Sequence, residues 1–74
     1  MIELDCRGLA CPRPVIDLAR RILEVEVGEV VAVVANDPAA AYDVPAWCRM
    51  WEQEYVGEDL AVDGVPRYLV RRLS

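Results

Sequence analysis

Histidine and lysine are both absent from this 74-residue chain, and only three residues are cysteine. Without histidine no Ser-His or Cys-His pair can form within the chain, which removes the common routes to an activated hydrolytic nucleophile. Zinc ordinarily takes four Cys or His ligands, and Cys6, Cys11 and Cys48 alone are on offer, so no metal centre is expected. An odd cysteine count in a short chain argues against a disulfide framework. The longest unbroken apolar run is Val30 to Ala35, far short of a membrane span. The first ten residues carry Glu3 and Asp5 and lack the apolar core of a secretory signal. No repeat, low-complexity stretch or linker divides the chain. These absences predict one soluble, cytoplasmic domain over residues 1–74, with no membrane contact, no metal and no cofactor.

Apolar residues make up 55% of the chain, too many for a disordered one, and the length allows a single thin core. Net charge is −5, from eight arginines against 13 carboxylates. A surface of that balance excludes nucleic-acid binding by bulk electrostatics, which needs a basic face. Arg67, Arg71 and Arg72 form a local basic cluster. It reads as a solvated strand edge, with a docking patch for an acidic partner as the functional alternative.

Periodicity lays out the elements. Met1 to Asp5 alternates as a short strand, and Cys6 to Ala10 is a loop in which Gly8 supplies an unusual backbone angle. Val15, Leu18, Ala19 and Ile22 then fall on one helical face, widened by Ile16 and Leu23. Asp17 precedes Arg21 by four residues, the favourable order for a helical ion pair. Gly28 either stops this helix or opens the β-branched strand Glu29 to Ala35, which is expected to be central. Asn36-Asp37-Pro38 is a turn that prepares a second helix, firm from Asp43. Asp43 is its expected cap, Pro45 sits in its first turn, and Gly57 ends it. Val44, Trp47, Cys48, Trp51 and Tyr55 share its apolar face. Leu60-Ala61-Val62 and Val65 to Leu73 flank Asp63-Gly64 as a hairpin with a two-residue turn. Pro66 cannot donate to a ladder, which predicts an edge or a bulge there. The order βαβαββ predicts a two-layer α/β sandwich, a four-stranded mixed sheet with two helices on one face.

The chemistry concentrates at Cys11-Pro12-Arg13-Pro14, where the loop enters the first helix. Pro12 pushes Cys11 towards the extended angles of an N-cap and itself suits the first helical position. Pro14 disfavours helical angles at Arg13, so the alternative is a helix that begins at Pro14. Either register leaves Cys11 at or just before a helix N-terminus, where the dipole and free N–H groups favour thiolate over thiol. The two prolines remove two donors and leave mainly those of Arg13 and Val15, so the expected lowering of the thiol pKa is moderate. Arg13 adds positive charge. Cys48, on the apolar face of the second helix, is expected to be core.

Leu4-Asp5-Cys6-Arg7-Gly8-Leu9-Ala10-Cys11-Pro12-Arg13-Pro14-Val15 resembles the opening of the TusA (SirA-like) family, Leu-Asp-x-Arg-Gly-Leu-x-Cys-Pro-x-Pro. Asp37-Pro38 and Asp43-Val44-Pro45-Ala46-Trp47-Cys48 resemble the family's second conserved segment, and the likeness covers almost the whole chain. The resemblance implies a sulfurtransferase acting as a carrier, with Cys11 as the residue that holds sulfur as a persulfide. It implies a cysteine desulfurase or a rhodanese as donor, and an acceptor protein serving tRNA thiolation, cofactor biosynthesis or sulfur metabolism. In this reading the protein acts as a monomer or weak dimer. Asp5, Arg7 and Gly8 shape the loop, and Pro12, Arg13 and Pro14 present Cys11. Asp5 alternatively just ends the first strand. Cys6 is either a spectator thiol or a resolving one that forms a disulfide with Cys11. A regulatory or adaptor module that binds without moving sulfur, and a Cys6–Cys11 redox switch, are the competing functions.

Overall fold

The structure, a computed structural model, describes residues 1–10 and 12–74. Its elements follow the order β1 (Ile2–Asp5), α1 (Arg13–Arg21) with a 3-10 turn at Ile22–Glu24, β2 (Val30–Val34), α2 (Ala40–Trp51), β3 (Glu54–Leu60) and β4 (Pro66–Arg71). The strands lie side by side as β1-β2-β4-β3, with β1 parallel to β2 and the other neighbours antiparallel. The parallel pair needs a crossover, and α1 supplies it. The expected mixed four-stranded sheet with two helices on one face is the fold observed.

Alternation decides which face is dry. Leu4, Val31, Val33, Tyr68 and Val70 point to the helices and pack with Leu18, Ile22, Val44, Trp47 and Cys48 in one buried cluster. Cys48 therefore sits in the core, as its place on the helical face predicts. On the opposite face Ala32 and Val34 are also fully buried, although no helix covers them. Leu69 lies beside Ala32 on this face, and an ionic cluster crosses it. Arg67 on β4 reaches Asp59 on β3 through Nε and Nη2 (2.8 and 2.7 Å) and Glu3 on β1 through Nη1 (3.0 Å). Because β2 lies between β4 and β1, that guanidinium necessarily crosses over β2.

Several expected boundaries shift. Helical spacing puts Ile16 and Leu23 on the apolar face of α1, yet they are 42% and 69% exposed. Pro14 and Leu18 are the residues of α1 that are buried. Asp17 does not pair with Arg21, which instead bonds Glu24 at 2.9 Å. Gly28 (φ 95°) opens β2 by donating to the Arg72 carbonyl at 2.7 Å.

The second helix starts earlier than Asp43. It begins at Ala40, and Asp37 holds the turn that leads into it, its carbonyl and Oδ1 accepting the amides of Ala40 and Ala39 at 3.0 Å each. Asp43 falls in the first turn rather than at the cap, and Pro45 lies inside the helix. The helix also ends earlier than Gly57. Glu52 takes the left-handed conformation (φ 56°) and the Gln53 amide closes back on the Cys48 carbonyl at 2.9 Å, a Schellman stop. Tyr55 thus belongs to β3, and Gly57 to a bulge in it. Trp51 and Tyr55 keep helical spacing by coincidence, because a partly buried strand residue follows closely on a helix end.

The hairpin turn holds three residues rather than two. Ala61 donates to Val65 and Gly64 donates to Ala61, both at 2.9 Å, with Gly64 left-handed (φ 83°). That is a type I turn followed by a glycine bulge. Pro66 stands at the first residue of an interior strand, not at a sheet edge, and its carbonyl accepts from Ala35 at 3.2 Å. A proline is tolerated there because the ladder has only begun.

Candidate functional site

β1 and β2 run parallel, so their carboxyl ends open at the same end of the sheet. In open α/β sheets this is where ligand-handling loops gather. Three loops meet here: residues 6–10 after β1, residues 35–39 after β2, and the β3–β4 turn.

The first loop is tied at every step. The Cys6 amide continues the β1–β2 ladder onto the Val34 carbonyl at 2.8 Å. Asp5 Oδ1 accepts the Arg7 amide at 3.2 Å and Arg7 Nη1 at 2.9 Å. Asp5, the last residue of β1, is thus hydrogen-bonded to Arg7 in the loop. The Leu9 amide turns back to the Cys6 carbonyl at 3.1 Å. Gly8 has φ 77°, a conformation that favours glycine, and its amide donates to Asn36 Oδ1 at 3.0 Å. Arg7 reaches further. Its Nε and Nη2 grip both carboxylate oxygens of Asp63 in the hairpin turn, at 2.8 and 3.0 Å. Those hydrogen bonds from Arg7 hold the carboxyls of Asp5 and Asp63 below the usual carboxylate range.

Cys11 itself lies outside the described residues. On either side of it, the Arg13 amide donates to the Ala10 carbonyl at 2.9 Å, and the Ile16 amide donates to Pro12 at 3.0 Å. α1 begins at Arg13 with Pro12 before it, between the two registers that the prolines allow. One expectation changes here: the Arg13 amide is committed to Ala10 and is not spare for an anion. The Arg13 guanidinium is exposed and lies 3.9 Å from Asp17, which offsets part of its charge. Beside Pro12 an apolar groove runs between the helices, lined by Val15, Ala46, Trp47 and Met50.

Cys6 is 1% exposed, at the foot of a cleft between β1 and α1. Its Sγ donates to Asp17 at 3.9 Å. Burial, and then the charges of Asp17 and Asp5, push its thiol up to about 11. A thiol held protonated and out of water is a poor nucleophile at neutral pH. Cys48 is pushed up to about 11 by burial as well. Among the described residues no cluster of His, Cys, Asp and Glu has the makings of a metal site. No helix there is long and apolar enough to cross a membrane. Sequence reasoning missed Asn36 and Asp63 as anchors of the loop. Both looked like ordinary turn residues, and nothing local links Asp63 to a loop 56 residues away.

The family described as "Sulfurtransferase TusA" matches residues 2–72. The chain belongs to the TusA family. A relative from Archaeoglobus fulgidus, named "Putative sulfur carrier protein", is 41% identical over 71 residues, 96% of this chain and 92% of that one. The crystal structure of the SirA-like protein from Desulfitobacterium hafniense superposes with a TM-score of 0.83 over the whole of both chains, at 23% identity. That likeness shows a shared α/β fold. The tied loop, and the motif Cys11-Pro12-Arg13-Pro14 that follows it, are thus set on a TusA scaffold.

Proposed function

We propose that the protein is a sulfur carrier that holds sulfane sulfur as a persulfide on Cys11. The observation that carries this reading is the TusA match over residues 2–72 in a chain whose Cys-Pro-x-Pro motif follows a firmly tied loop. In the uptake step the Cys11 thiolate attacks the outer sulfur of a donor persulfide. A new S–S bond forms at Cys11, the donor's S–S bond breaks, and the donor cysteine leaves as a thiolate. Delivery repeats the exchange, with an acceptor nucleophile taking the outer sulfur and the Cys11 thiolate leaving. Charge and sulfur balance in both steps, so no oxidant, reductant or base is needed within the chain. The donor is a cysteine desulfurase or a rhodanese. The acceptor is a protein of tRNA thiolation, cofactor biosynthesis or sulfur metabolism. In this sense the protein is an enzyme only as a relay.

Intact mass tests the reading after incubation with a cysteine desulfurase, cysteine and pyridoxal phosphate. Wild type gains sulfur that reductant removes, and Cys11→Ser gains none. Equal uptake by the two proteins would overturn it. No uptake by either, together with stable binding of the desulfurase, would favour an adaptor.

A further inference from the structure

We propose that Asp63, in the β3–β4 turn, is a positioning residue for sulfur transfer: its carboxylate grips Arg7 and so fixes the loop that leads into Cys11. The activity part of this inference rests on the carrier reading; the geometry does not.

The grip is a parallel fork, Nε to Oδ2 at 2.8 Å and Nη2 to Oδ1 at 3.0 Å, the arrangement in which a guanidinium has least freedom. The remaining Nη1 is spent on Asp5, so all three nitrogens of the Arg7 head are engaged. Asp63 is itself held, with Oδ1 accepting the Val65 amide at 3.3 Å. The two loops it joins belong to strands that are not neighbours, since β2 separates β1 from β4. Val62, in the same turn, is fully exposed and anchors nothing. With Gly8 bound to Asn36, the loop is fastened to both the β2 exit and the hairpin.

The exposed fork adds modestly to stability, and its larger consequence is a loop held in one place. Transfer between two sulfurs needs such a loop: the attacking group must arrive in line, and small displacements cost large factors in rate.

Three variants test the inference. Asp63→Asn keeps the shape but loses the charged fork, Asp63→Glu keeps a carboxylate, and Arg7→Lys keeps the charge without the fork. Single-turnover sulfur loading at saturating donor is expected to fall roughly tenfold or more in Asp63→Asn and Arg7→Lys. The thermal midpoint should barely move, and Asp63→Glu should recover most of the rate. Amide exchange at Gly8 and Leu9 should speed up in the two slow variants, and the pH profile of Cys11 alkylation should shift with it. Wild-type loading in Asp63→Asn, or a loss matched by unfolding in both Asp63→Asn and Arg7→Lys, would overturn the proposal. If wild type takes up no sulfur, the carrier reading fails alone. Exchange and alkylation then decide the positioning role, and unchanged values in both sink it.

Discussion

The two described cysteines are both buried, in different surroundings. Cys48 is sealed between α2 and the sheet, and Cys6 lies under β1 against Asp17, with both thiols raised to about 11. Their titration links to stability with a definite sign. An unfolded thiol has a pKa near 9.0, so between about pH 9 and 11 the unfolded chain loses protons that the folded one retains. The stability from these thiols is complete below pH 9 and is lost as pH rises through 11. The expected slope is at most about 1.4 kcal/mol per pH unit for each thiol. Urea unfolding at pH 7, 9 and 10 measures it, and Cys48→Ala should shrink the slope by one thiol's share. A flat profile in wild type would contradict the assignment. The same burial predicts slow alkylation of Cys6 and Cys48 until denaturant is added.

Elements end where the backbone conformation changes, and side-chain periodicity reports that poorly. α2 stops at a left-handed Glu52 although its apolar spacing runs on through Tyr55. A residue with a Cβ pays a steric cost in that conformation which glycine does not. Glu52→Gly is therefore expected to stabilise the fold by roughly 0.5–1 kcal/mol, less whatever freedom glycine adds to the unfolded chain. An unchanged or lower urea midpoint would show that the Glu52 side chain offsets its strain. Pro45 tells the complementary story. Placed inside α2, it removes one helical donor, and the helix persists because Val44, Trp47 and Cys48 anchor it to the core.

At the scale of the whole molecule the two faces of the sheet are closed by different forces. One is covered by apolar helices; the other is crossed by Arg67, held between carboxylates of β3 and β1. Arg67 holds Asp59 below the usual carboxylate range, as Arg7 does Asp5 and Asp63. Depressed carboxyls contribute stability that is present above their unfolded pKa near 3.8 and lost as pH falls through the folded value. Acid unfolding should thus set in below about pH 4. Arg67→Ala should move its midpoint upward and uncover Ala32 and Val34, seen as faster amide exchange in β2. An unmoved acid midpoint would remove Arg67 from the account.

Much of this protein was legible from residue order alone. Alternation and helical spacing determine the βαβαββ order, the central place of β2 and the burial of Leu18, Val44 and Cys48, because those patterns report which side of an element is dry. The motif residues from Asp5 to Pro14 determine the family, since both their identity and their spacing are specific. The tertiary structure decided the rest. It made Asp63 a partner of Arg7, gave Cys6 to Asp17, ended α2 at Glu52, and carried Arg67 across the sheet face that no helix covers. Each of these depends on the packing of segments distant in sequence or on a single backbone angle, and periodicity carries information about neither.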